Sequence, residues 1–134
     1  MRAKTFLLAC LLLGGLPASG LSQSRPVRIV LPVPSVWVSQ ASGRLAIHSV
    51  TNGILTGIFA SNNPACGVAP IIGKITPPSK ITFAVNFPAC NTIMAWRGQY
   101  SDIAIATGLS TTTIQADGTV VSGLAGGNLF SKHQ

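Results

Sequence analysis

Acid–base or nucleophilic catalysis needs titratable side chains within reach of one another, and this chain has few to offer. Its acids are Asp102 and Asp117, its histidines His48 and His133, and its cysteines Cys10, Cys66 and Cys90. Asp117 precedes Gly118 in a turn signal, and Asp102 sits in a short connection after Ser101; carboxylates in such places usually cap local backbone N–H groups. His133 is the penultimate residue. His48 lies on the opposite face of its segment from Leu45 and Ile47, an outer or rim position. No three of these residues are spaced as metal ligands, and no base stands beside a nucleophile. The pattern predicts a protein that is not an enzyme and holds no metal or cofactor.

The densest chemistry is apolar. The stretch "ITFAVNFPACNTIMAWRGQY", residues 81–100, contains two alternating segments interrupted by Pro-Ala-Cys-Asn. One parity carries Phe83, Val85 and Phe87, then Thr92, Met94, Trp96, Gly98 and Tyr100. Arg97 is its one charged residue on the second segment. An aromatic wall punctuated by neutral polar groups suits a compact, mostly apolar ligand with an uncharged polar head. The same wall also suits a barrel core filled by its own side chains.

The elements that must position these residues are short and β-like. Runs at 36–40, 44–50, 54–60, 70–76, 80–87, 92–100, 103–112 and 119–131 are separated by turn chemistry such as Thr-Asn-Gly, Pro-Pro-Ser and Ala-Asp-Gly. No window outside the N-terminal segment has helical periodicity. Eight such strands predict an antiparallel up-and-down barrel or a sandwich, and an eight-stranded barrel is just wide enough for one small ligand. Parity then groups Leu55, Gly57 and Phe59, Trp37 with Ser39, and Leu124, Gly126, Asn128 and Phe130.

The N-terminus has a different logic. "MRAKTFLLACLLLGGLPASG" opens with Arg2 and Lys4, continues with an apolar run and ends in small residues, the layout of a secretory signal cleaved near Gly20. Its apolar run is too short to span a bilayer. Cys10 falls inside that run with little before it, a poor lipoprotein site. Residues 21–34, with Pro26, Pro32 and Pro34, read as an extended arm outside the main fold. Export to the periplasm or beyond makes disulfides durable, and cleavage leaves Cys66 and Cys90. They are expected to pair, with two buried free thiols as the rival reading. The remaining cations, Arg25, Arg28, Arg44, Lys74, Lys80, Arg97 and Lys132, stand singly, with no basic stripe interleaved with aromatics. The composition therefore excludes a nucleic-acid groove.

The segments "VWVSQASGRLAI", "GILTGIFAS", "ITFAVNF", "TIMAWRGQY" and "GNLFSK" resemble, in order and spacing, strands of the avidin/streptavidin family. The resemblance covers about residues 35–132, and its most specific piece is Trp-x-Gly-Gln-Tyr at Trp96, Gly98, Gln99 and Tyr100. Cys66 and Cys90 resemble the disulfide of the short, dimeric, rhizavidin-like bacterial members. The resemblance implies an all-β, eight-stranded antiparallel up-and-down barrel that binds biotin, as an exported homodimer.

Carried over residue by residue, the resemblance gives a divergent site. The first-strand Asn of the family falls on Ser39. The Ser of the next turn falls on Gly43, with Ser42 beside it as a substitute. The third-strand Tyr falls on Phe59, and the last-strand acceptor for a ureido N–H falls on Asn128. Thr92 takes the position near the valerate carboxylate. Ser61 or Asn62 would be the loop companion of Asn128 at the head group. The apolar box is carried by Phe87, Met94 and Trp96; the seventh-strand Trp falls on Thr107, and the Trp lent between subunits falls near Val120. At roughly 0.5–3 kcal/mol for each lost hydrogen bond, two donors and one indole amount to about 4–8 kcal/mol. From an affinity near the non-covalent limit, that loss still leaves binding. Two other classes fit the residues: a barrel that serves as an envelope structural or interaction module, and an exported protease inhibitor acting through residues 25–34.

Overall fold

The computed structural model describes residues 30–134. The expected signal segment and most of the arm lie outside the described residues. Eight strands run in chain order: β1 (Ser35–Ser39), β2 (Gly43–Thr51), β3 (Ile54–Ser61), β4 (Val68–Thr76), β5 (Lys80–Phe87), β6 (Thr92–Tyr100), β7 (Ala104–Ile114) and β8 (Val120–Lys132). Each pairs antiparallel with its neighbour, and β8 returns to β1 through Trp37↔Lys132 and Val38↔Ser131, closing the barrel. A single 3-10 turn, Pro88–Cys90, interrupts the β5–β6 connection.

Local chemistry accounts for the turns. β2 and β3 meet through Asn52 (φ 52°) and Gly53 (φ 79°), the left-handed pair that a two-residue hairpin demands. Gln115 N–H donates to Thr119 O at 2.8 Å and Gly118 N–H to Gln115 O at 2.9 Å, closing the β7–β8 hairpin around Asp117 and Gly118. β4 begins earlier than its proline suggests, because Val68 and Ala69 still pair with Ala60 and Phe59.

Alternation builds the core. Trp37, Leu45, Ile47, Leu55, Phe59, Phe83, Phe87, Trp96, Ile105 and Phe130 are fully buried inside the barrel. Truncating one of the large aromatics to Ala is expected to cost about 3–5 kcal/mol. Two irregularities adjust the pattern. On β2, Ile47 pairs Gly57 and Ser49 pairs Thr56, so His48 is an extra residue and lies exposed on the outside, as its parity predicts.

On β8, Asn128 pairs Thr107 while Ala125 pairs Leu109, so one residue on β7, Gly108, faces two on β8, Gly126 and Gly127. Gly127, at φ 70°, takes the left-handed conformation this bulge requires. The bulge overturns the expected face of β8: Asn128 and Phe130 point inward, but Leu124 is 91% exposed. A one-residue offset reverses every side chain beyond it. The arm also differs from expectation. Leu31 is buried in the core cluster, so the arm's described end belongs to the barrel's packing.

The barrel has two unlike ends. One end joins β1–β2, β3–β4, β5–β6 and β7–β8; the other carries the remaining turns with both chain ends. Toward the second end, Leu31, Ile81, Tyr100 and Ile105 are buried in the core cluster.

Candidate functional site

Three side chains from separate elements form a buried polar cluster near the first end. Ser39 is the last residue of β1, Ser42 lies in the β1–β2 turn, and Asn128 is the inward residue just after the β8 bulge. Ser39 Oγ donates to Asn128 Oδ1 at 2.9 Å and Ser42 Oγ donates to the same atom at 3.2 Å. Ser39 Oγ also accepts from Ala41 N–H at 3.3 Å, which sets the turn. Thr107 Oγ1 donates to the Asn128 carbonyl at 3.0 Å and fixes its backbone. Ser39, Ser42, Thr107 and Asn128 are all buried. A neutral polar group belongs in such a place only when its hydrogen bonds are met.

An aromatic stack fills the middle of the barrel. Trp96 lies between Phe59 and Phe83, with ring centroids 4.7 Å and 4.8 Å away. Phe130 meets Phe59, Phe83 and Trp96 edge-on, and Phe87 meets Phe59 edge-on at 6.1 Å. Met94 is half-buried against this cluster. Among the described residues, Trp96 Nε1 is the one buried side-chain polar atom without a hydrogen-bond partner. A buried donor left unpaired costs about 1–3 kcal/mol, so it marks a place where an acceptor would be welcome.

The rim is held by chemistry of its own. Cys66 and Cys90 form a disulfide, joining the β3–β4 loop to the 3-10 turn. Thr92 is buried beneath it and donates from Oγ1 to Cys90 O at 3.0 Å. Thr92 Oγ1 also lies 3.0 Å from Thr113 Oγ1 on β7.

Most of the expected site residues therefore converge: Ser39 and Asn128 touch, while Phe59, Phe87, Met94 and Trp96 share one interior. Gly43 does not supply a donor, and the reason is steric. It has φ 142°, and a Cβ there would sit 2.1 Å from Ala60 O and 3.0 Å from the Phe59 ring. The neighbouring Ser42 takes the place instead. The loop residues Ser61 and Asn62 make local hydrogen bonds: Ser61 Oγ accepts from Asn63 N–H, and Asn62 Nδ2 donates to Gln40 O. Thr113 was missed by the sequence reading; its inward facing follows from the register Thr92↔Thr113, which no single strand reveals. No group of three His, Cys, Asp or Glu side chains gathers among the described residues, and no described helix is long and apolar enough to cross a membrane.

No family model matches the chain, and no curated protein does. Solved structures do. The bradavidin2–biotin complex is similar with a TM-score of 0.68 and 26% identity, over 78% of this chain and 100% of that one. Apo shwanavidin gives a TM-score of 0.61 at 24% identity, over 80% and 100%. The rhizavidin–biotin complex gives 0.62 at 18% identity, over 78% and 96%. The structural neighbours of this chain are avidin-like proteins, and it shares their closed eight-stranded barrel.

Proposed function

We propose that the barrel binds biotin, or a molecule sharing its cyclic urea and fused apolar ring, and catalyses nothing. The observation that carries this reading is the Ser39–Ser42–Asn128 cluster beside an aromatic interior. Both hydroxyls donate to Asn128 Oδ1. A half-turn of the Asn128 amide would instead offer its NH2 to the two serine oxygens. Both hydroxyl protons then become free for a ureido carbonyl, and Oδ1 becomes free for a ureido N–H. The rings of Phe59, Phe87 and Trp96, with Met94, would enclose the apolar part of the ligand, and Thr92 would lie toward its tail.

Export after cleavage near Gly20 belongs to the same reading, supported by the signal-like N-terminus and the Cys66–Cys90 disulfide. So does a homodimer. An uncharged row crosses the outer wall through Ile72, Ala84, Ala95, Ser110 and Leu124, each paired with the next. Ile72 and Leu124 are exposed at its two ends, and a groove of about 430 Å³ lies along Ala95, Ser110 and Leu124, with Arg97 at its side. A second copy would cover that face.

One observation favours a second reading. Phe59 is fully buried against Trp96 at 4.7 Å, so the interior is already packed. A barrel that keeps this packing would be a structural or interaction module of the envelope. Retention on biotin resin separates the two. Specific retention, released by free biotin and lost in Asn128→Ala, supports binding; flow-through of the oxidised chain supports the module.

A further inference from the structure

β8 runs well past the strand that closes the barrel against it. β1 pairs with β8 only at Trp37↔Lys132 and Val38↔Ser131, and beyond these Ser39 and Ser42 reach Asn128 by side chain. Further along, among the described residues, residues 120–125 pair with β7 on one side and have no strand on the other. Residues 114–127 are all exposed, so neither face of this stretch is covered.

Two hydrogen bonds fix which backbone groups face the open side. Ile114 N–H donates to Asn91 O, just before β6, and Gln115 N–H donates to Thr119 O across the hairpin. Alternate residues of an antiparallel ladder turn their N–H and C=O to opposite sides. Val121, Gly123 and Ala125 therefore bond to β7, while Val120, Ser122 and Leu124 turn their backbone groups outward. Such a row of donors and acceptors is complementary to another peptide strand. Sheets usually blunt an edge of this kind with lysine, proline or a covering loop. Here residues 118–131 contain no charged residue and no proline.

We infer that two copies of this chain pair β8 edge to edge, antiparallel, about a twofold axis at Ser122. In that register Val120 faces the partner's Leu124 on the outer face, and Val121 faces the partner's Gly123 on the inner one. Val120 and Leu124 are large apolar side chains exposed on the single chain, and the pairing covers each with the other. A register nearer Asn128 would drive the partner's hairpin tip into the β1–β2 turn. The mature chain has more cations than acids, so two copies repel one another except along a charge-free strip such as this. The contact is small beside the roughly 1,200–2,000 Å² of stable complexes, so it is reversible and forms at high protein concentration. It goes beyond the wall contact proposed above. Leu124 belongs to both, so Ser122 is the residue that separates them.

The test places a single cysteine at Ser122 or at Thr112 in the oxidised mature chain, held at high concentration in a glutathione redox buffer. In the inferred register the two Ser122 Cα atoms lie about 5.5 Å apart, within the span of a disulfide. Thr112 stands opposite Ser122 on β7, one strand back from the edge, so its two copies lie too far apart to link. Ser122→Cys is expected to form a linked dimer at least about tenfold faster than Thr112→Cys, because pairing holds its two thiols together. Ser122→Pro removes an N–H that the barrel's own ladder does not use. It is expected to weaken the high-concentration association step at least about tenfold in sedimentation equilibrium, with the thermal unfolding midpoint unchanged. Equal linking by the two cysteine variants overturns the inference, and so does a Ser122→Pro variant that associates like the native chain. A wall dimer without the edge contact gives both of these results, so this inference can fail while the homodimer reading stands.

Discussion

At the scale of single residues, two positions separate what side-chain chemistry demands from what family resemblance suggests. Phe59 keeps a ring where a hydroxyl would be useful, and Trp96 Nε1 beside it lacks a partner. Phe59→Tyr is expected to raise biotin affinity about fivefold to tenfold through one added hydrogen bond, read by calorimetry. Gly43 invites the opposite experiment. Restoring a serine there would drive a Cβ to 2.1 Å from Ala60 O at a φ of 142°. Gly43→Ser is expected to destabilise the fold by roughly 1–3 kcal/mol in urea denaturation, with no gain in affinity. Ser42→Ala, by contrast, is expected to leave the fold intact and weaken binding. The sequence made Ser39, Phe59, Trp96 and Asn128 legible, because each sits on a parity that strand alternation decides. Ser42 was legible only as a neighbour of Gly43. What selected it was the close approach of β2 to Ala60, a three-dimensional fact that no spacing contains.

At the scale of elements, the up-and-down order of the strands could be read from turn residues alone. Asn-Gly, Pro-Pro and Asp-Gly each forced a reversal where the structure places one. The β8 bulge could not be read. Two adjacent glycines look like an ordinary weak spot in a strand, and the flip of Leu124 appears only when β7 sets the register. Deleting Gly127 should remove the extra residue and carry residues 120–126 to opposite faces. The expected result is loss of the native fold or of ligand binding, detectable as a broadened amide spectrum. The disulfide works at the same scale by joining two rim loops. For a closed loop with a sequence separation of 24, the chain-entropy model gives about 3–4 kcal/mol. Cys66→Ser with Cys90→Ser is expected to lower stability by that amount in denaturant unfolding, and to speed ligand release.

At the scale of the whole molecule, the barrel's two ends differ in charge: Lys80 and Lys132 lie at the end with the chain termini, and the loops of the other end carry only Asp117. The row Ile72, Ala84, Ala95, Ser110 and Leu124 crosses the outer wall without a charge, with Arg97 beside it in the groove, and is the face proposed above to meet a second copy. Leu124→Asp is expected to shift the sedimentation profile from dimer to monomer without unfolding the chain, since that side chain touches little of its own barrel. The account's central claim is narrower and concerns the interior. Its most direct measurement is a calorimetric titration of the oxidised chain, residues 21–134, with biotin, beside Asn128→Ala. The account predicts saturable binding of about one ligand per chain, weakened at least tenfold by the substitution. No heat up to millimolar biotin, in a chain whose thermal unfolding shows it folded, would contradict it.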